Sequence, residues 1–185
     1  MQSRTSVALE EDHFALLGLA PRAAVDSDQL ERAYLRKSCE THPDKQGLYS
    51  DSDAALTRQA AINEAYRVLR DPWTRFAYLI EQEQPGALQR TKQLDPAFLL
   101  EAMEEYETAL EARQDPAGRA AMEARTRDEL EVMQARVLAL LDAALQDSIQ
   151  DSETKAAAVL QAATLLHQAR YAQRRLEALT AQQHR

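Results

Sequence analysis

The chain has one cysteine, one tryptophan and four glycines in 185 residues. A single thiol, Cys39, excludes an internal disulfide and any multi-cysteine zinc site. No Asn-Gly or Gly-Gly turn joins alternating Val, Ile, Thr or Tyr segments, so no β-strand is expected. No apolar run approaches the roughly 18 residues that mark a membrane span. Residues 1–10 carry neither an apolar signal core nor an Arg-rich amphipathic pattern. Positive charge is also in deficit. A net charge of −8 argues against a general nucleic-acid binder, which needs a basic stripe on the phosphates. These absences point to a soluble cytoplasmic protein with neither a nucleic-acid nor a membrane partner.

What is present favours helices. Apolar residues make up 45% of the chain, enough for a packed core. Ala, Glu, Gln, Leu and Arg dominate, all good helix formers. Asp12 can cap a short helix over His13–Leu17, with Gly18 closing it. Asp26 with Gln29 resembles a capping box opening a second helix. Pro43 ends that helix, because the residue before proline is pushed out of the α region. A third helix is expected from about Ala54 to Arg70, with Ala55, Ile62, Ala65, Tyr66 and Leu69 on one face. Asp71-Pro72 reads as an N-cap followed by proline at the first helical position, opening a short fourth helix with Trp73, Phe76, Tyr78 and Leu79.

Residues 83–94 are polar and contain Pro85-Gly86, a linker signature. Beyond them the helices lengthen. Asp95-Pro96 and Asp115-Pro116 repeat the cap-proline pair, and Asp151 or Ser152 can cap a third segment. Helices are expected over 96–112, 117–148 and 152–181. Met122, Leu130, Met133, Val137, Leu140, Leu141 and Ala144 form a seam on the second. Ala156, Leu160, Ala163, Leu166, Ala169 and Leu176 do so on the third. Such stripes imply an antiparallel three-helix bundle.

Between the second and third helices stands His42-Pro43-Asp44. One His and one Asp are too few ligands for a zinc site. A Cys39/His42 nucleophile pair would need an orienting group and an oxyanion pocket, and no Gly-rich turn is there to build one. His13, His167 and His184 have no helical i,i+4 His partner. No enzyme activity and no cofactor are expected. On the wheel of the second helix, Leu30, Ala33 and Tyr34 share a face with Thr41, while Arg32, Leu35, Arg36 and Cys39 lie opposite. With Lys45, the two arginines form a local positive patch in an acidic chain, suited to steering an acidic partner. Tyr34, His42-Pro43-Asp44 and the run Asn63-Glu64-Ala65-Tyr66 with Leu69 and Asp71-Pro72 together resemble the J-domain, by which co-chaperones stimulate ATP hydrolysis by a partner Hsp70. The resemblance implies that Arg32, Arg36, His42, Pro43, Asp44 and Lys45 dock on that Hsp70. Lys37 and Thr41 depart from it, since J-domains usually place apolar or aromatic residues there. Lys37 falls on the inner face and is expected to pack its stem while its ammonium snorkels out.

The helix after Pro96 carries an apolar arc of Phe98, Leu99, Ala102, Met103, Tyr106, Ala109 and Leu110. Leu100, Glu104, Glu107 and Glu111 line its other side. Like charges at this spacing disfavour a helix, and Leu100 puts an apolar group where water is expected. The combination suggests a docking surface for a basic partner. Asp95-x-Ala97-Phe98-Leu99…Met103-Glu104…Glu107, with Arg75-x-x-Tyr78-Leu79, resembles HscB-type J-domain co-chaperones of iron–sulphur cluster assembly. That resemblance implies an all-α fold: a J-domain over 1–82, a linker over 83–94 and a three-helix client-binding domain over 95–185. It implies an HscA-like Hsp70 and an IscU-like scaffold protein as partners. The scaffold surface would comprise Leu99, Leu100, Met103, Glu104, Glu107 and Glu111. Alternatives are a J-domain adaptor for another client, or a structural helical adaptor with an inactive J-domain.

Overall fold

A computed structural model describes residues 12–41, 52–146 and 151–181. The described residues are helical apart from short turns and contain no strand. Among the described residues eight helices follow one another: α1 (His13–Leu17), α2 (Ser27–Thr41), α3 (Ser52–Arg70), α4 (Pro72–Glu83), α5 (Ala87–Arg90), α6 (Pro96–Ala112), α7 (Pro116–Leu145) and α8 (Ser152–Thr180). The chain divides into two compact units, Met1–Thr74 and Arg75–Arg185.

In the first unit, α1 and α2 both pack on α3. Asp12 accepts the Phe14 N–H at 3.2 Å and so starts α1. Gly18 ends it at φ 69°, a left-handed turn that costs an L side chain strain and glycine nothing. Asp26 accepts the Gln29 N–H at 2.7 Å to open α2. Phe14, Leu16, Leu17, Leu30, Ala33, Ile62, Ala65 and Leu69 are buried and form the core. Each large apolar side chain buried this way is worth about 2 kcal/mol. At the end of α3, the Asp71 carboxylate accepts the Thr74 N–H at 2.8 Å.

In the second unit, α7 and α8 pack along most of their length, and α6 lies against both. All three begin as the cap signatures require. Asp95 accepts from Ala97 at 2.7 Å, Asp115 from Gly118 at 2.8 Å and Asp151 from Thr154 at 2.9 Å. Asp151's carboxyl is held below its ordinary value, chiefly by the Thr154 hydroxyl and then by the N–H groups it caps. Contacts fix the directions. Phe98 meets Tyr171 edge-on and the Arg113 guanidinium donates to the Ala181 carbonyl, so α6 runs with α8. The connecting segment of α7 runs against both.

Helix α8 is buried over more than the expected seam. Ala158, Val159, Ala162, Leu165, Ala172 and Leu179 are buried, whereas Leu160 and Leu176 are only half-buried. The reason is that α8 meets α5 and α6 as well as α7. The stretch expected as a linker, 83–94, holds α5. Glu81 accepts the N–H groups of Gly86 at 2.7 Å and Leu88 at 2.9 Å. His167 Nε2 donates to the Leu88 carbonyl at 2.8 Å, and Lys155 pairs with Glu83 at 2.9 Å.

Candidate functional site

The first candidate surface is the outer face of α2. Arg32, Leu35, Arg36 and Cys39 are exposed, while Leu30, Ala33 and Thr41 are buried. Lys37 sits where the sequence placed it, with its stem beside Gly18 and its ammonium 2.9 Å from Glu40. That hydrogen bond from Lys37 draws the Glu40 carboxyl below its ordinary value. Thr41 is satisfied by polar means. Its hydroxyl lies 2.9 Å from the Lys37 carbonyl and 2.9 Å from Gln59 Oε1 on α3. Gln59 Nε2 donates to Ser38 Oγ at 3.2 Å and to Asn63 Oδ1 at 3.1 Å. Asn63 Oδ1 also accepts from the Tyr34 hydroxyl at 3.1 Å, and Tyr34 stacks on Tyr66 with ring centres 4.3 Å apart. His42, Pro43, Asp44 and Lys45 lie outside the described residues.

The second surface is on α6. Leu100 and Met103 are each 61% exposed, and Glu104, Glu107 and Glu111 face water beside them. Leu99 is half-buried. The apolar arc is wider than its buried part. Ala102 and Ala109 are buried, and Met103, Tyr106 and Leu110 are not. Two small residues at the point of approach bring α6 close to its neighbours and leave the larger side chains at the rim. Tyr106 and Leu110 therefore join the exposed row, a feature that the helical period alone assigned to the core. They line a cleft of about 610 Å³ between α6 and α8, with Met103, Tyr171 and Arg174.

Beneath this surface lies a charged cluster that the sequence reading missed. Arg175 on α8 is buried, and its guanidinium meets the carboxylates of Glu105 on α6 and Glu129 on α7. Its Nε donates to Thr126 Oγ1 at 3.1 Å. Arg125 also reaches Glu105, at 3.1 Å. Among the described residues no group of three or more His, Cys, Asp or Glu could hold a metal ion, and no helix is long and apolar enough to cross a membrane.

A helical hairpin of α2 and α3 flanked by short helices is the architecture of a J-domain, and the DnaJ domain model matches residues 12–78. Relatives cover both units. The co-chaperone protein HscB homolog of Bordetella pertussis is 40% identical over 137 residues, spanning 71% of this chain and 79% of the relative. Its counterpart in Burkholderia mallei is 36% identical over 146 residues, spanning 74% and 81%. In fold, the chain is similar to chaperone HscB from Vibrio cholerae, with a TM-score of 0.68 at 23% identity over 91% of this chain and 94% of that one. Human co-chaperone protein HscB gives a TM-score of 0.70 at 23% identity, over 96% and 82%. The chain belongs to the HscB family. It is a J-domain co-chaperone of iron–sulphur cluster assembly that works with an Hsp70.

Proposed function

We propose that this co-chaperone recruits an HscA-like Hsp70 through residues 1–82 and carries an IscU-like scaffold protein on residues 95–185, with 83–94 joining the two. Arg32, Arg36 and Lys45 steer the Hsp70 toward His42, Pro43 and Asp44, which trigger its ATPase. Leu99, Leu100 and Met103 supply the apolar contact for the scaffold. Glu104, Glu107 and Glu111 select a basic partner around it. The protein works in the cytoplasm, has no catalytic activity and needs no cofactor of its own. The observation that carries the scaffold half is the exposure of Leu100 and Met103 beside three water-facing glutamates, since apolar side chains left bare in a row mark a binding surface.

The test uses the full chain, a purified HscA-like Hsp70 and a purified IscU-like scaffold. The combined variant Leu99→Ala, Leu100→Ala and Met103→Ala is expected to lose scaffold binding while still stimulating the ATPase in the scaffold's absence. Melting temperature controls for the half-buried Leu99. A folded triple variant that binds the scaffold like the parent would place the client site elsewhere.

A further inference from the structure

Thr41 is both the last residue of α2 and the residue before His42. A helix end has unpaired carbonyls and frays unless something ties it down. Among the described residues, an amide on the neighbouring helix ties this one. Gln59 faces Thr41 with its oxygen, at 2.9 Å, and Ser38 with its nitrogen, at 3.2 Å. It thus grips two side chains three residues apart on the last turn of α2. Along α3 it is braced by Asn63, itself held by the Tyr34 hydroxyl. Thr41 is only 7% exposed, so its hydroxyl is held against α3 with little access for competing water. That hydroxyl has one proton, which Gln59 and the Lys37 carbonyl share as acceptors. Hydrogen bonds are directional where apolar contacts slide, so this network fixes the rotation of the final turn as well as its distance from α3.

We propose that Gln59 is a positioning residue for stimulation of the Hsp70 ATPase. Acting through Thr41, it sets the direction in which the chain leaves α2 toward His42-Pro43-Asp44. The inference rests on the assignment of that tripeptide to the Hsp70. Gln59 does not touch the partner, and the exposed arginines that steer the encounter stay in place. Loss of the network therefore lowers the maximal stimulation more than it raises the concentration giving half of it.

The experiment measures single-turnover ATP hydrolysis by an HscA-like Hsp70 across a range of full-length co-chaperone. Gln59→Leu is expected to lower maximal stimulation about fivefold, the worth of one net hydrogen bond, with little change in the half-saturating concentration. Thr41→Val should lower it in the same way, and the double variant should be no worse than Gln59→Leu alone, because both substitutions break the Thr41–Gln59 link. Thr41→Ser keeps the hydroxyl and should retain most of the stimulation, whereas Gln59→Glu keeps the acceptor toward Thr41 but loses the donor toward Ser38 and Asn63 and should fall between the parent and Gln59→Leu. Parental stimulation by Gln59→Leu, additive losses in the double variant, or losses that track melting temperature across all variants would overturn the proposal. Should Gln59→Leu not fold, Thr41→Val against Thr41→Ser decides it on the same readout. Stimulation by the parent protein in the same assay separates failure of this inference from failure of the co-chaperone reading.

Discussion

The two units close their helix seams by opposite means. In the first, the C-terminal half of α2 is laced to α3 by neutral groups: Tyr34, Ser38, Thr41, Gln59 and Asn63, beside a stacked tyrosine pair. In the second, α6, α7 and α8 meet at one buried cation, Arg175, shared by Glu105 and Glu129. A neutral hydrogen bond that is lost costs little beyond its own modest worth, because it leaves no charge stranded, and at the exposed Tyr34–Asn63 link water can take its place. A buried ion cluster is different. Its desolvation is already spent, and removing one member strands the others. The hairpin proposed to meet the Hsp70 is thus joined by neutral links, and the bundle that presents α6 is pinned by charge.

Breaking the pin should have the largest effect. Arg175→Met leaves Glu129 without this partner and Glu105 with only the exposed Arg125, and is expected to cost about 3 kcal/mol in denaturant unfolding, the low end for a broken buried pair because both carboxylates are part-exposed. Adding Glu105→Gln and Glu129→Gln removes the stranded charge and should recover more than half of that loss. A single variant as stable as the parent would erase the contrast between the units. Next comes the neutral seam. Tyr34→Phe deletes the hydroxyl that reaches Asn63 and should cost about 1 kcal/mol. A loss as large as that at Arg175 would mean that the seam is no more replaceable than the pin. Smaller still is the response of α6. Changing Glu104, Glu107 and Glu111 to Gln relieves like-charge repulsion, so melting should hold or rise by a few tenths of a kcal/mol. Scaffold affinity should nonetheless fall, and more at low salt than at high. Equal affinity at low salt would reduce the glutamate row to an ordinary wet face.

The smallest effect is an exposed pair on α3. Arg67 bonds the Glu64 carboxylate at 2.6 Å and holds its pKa below the ordinary value. A lowered folded value means that the contribution is present at neutral pH and is lost as pH falls through that lowered value. Comparing acid melting curves of the parent and Glu64→Gln would show it, and parallel curves would show that solvent screens it entirely.

Helix starts were legible because each is a local event. Asp12, Asp95, Asp115 and Asp151 cap helices within three residues of themselves, so the chain order carries the signal. The exposed face of α2 was legible from its period for the same reason. The charge cluster was not, because Arg175 lies 70 residues from Glu105 and 46 from Glu129, and an arginine on a long helix looks like any wet residue. Nor could a wheel tell that Tyr106 and Leu110 stay uncovered. That depends on how near the neighbouring helices come, which Ala102 and Ala109 decide only in three dimensions. Residues 83–94 look unstructured by composition. They gain a helical turn from partners at Glu81 and His167, the second of them far along the chain.

The bare row of Leu100, Met103, Tyr106 and Leu110 also bears on how the protein behaves in concentrated solution. Two copies meeting face to face through that row would bring two sets of Glu104, Glu107 and Glu111 together, and their mutual repulsion works as a colloidal barrier. The range of that barrier shrinks from about 30 Å at 0.01 M salt to 3 Å at 1 M. Added salt should therefore turn the second virial coefficient toward attraction, and replacing the three glutamates by Gln should do so already at low ionic strength.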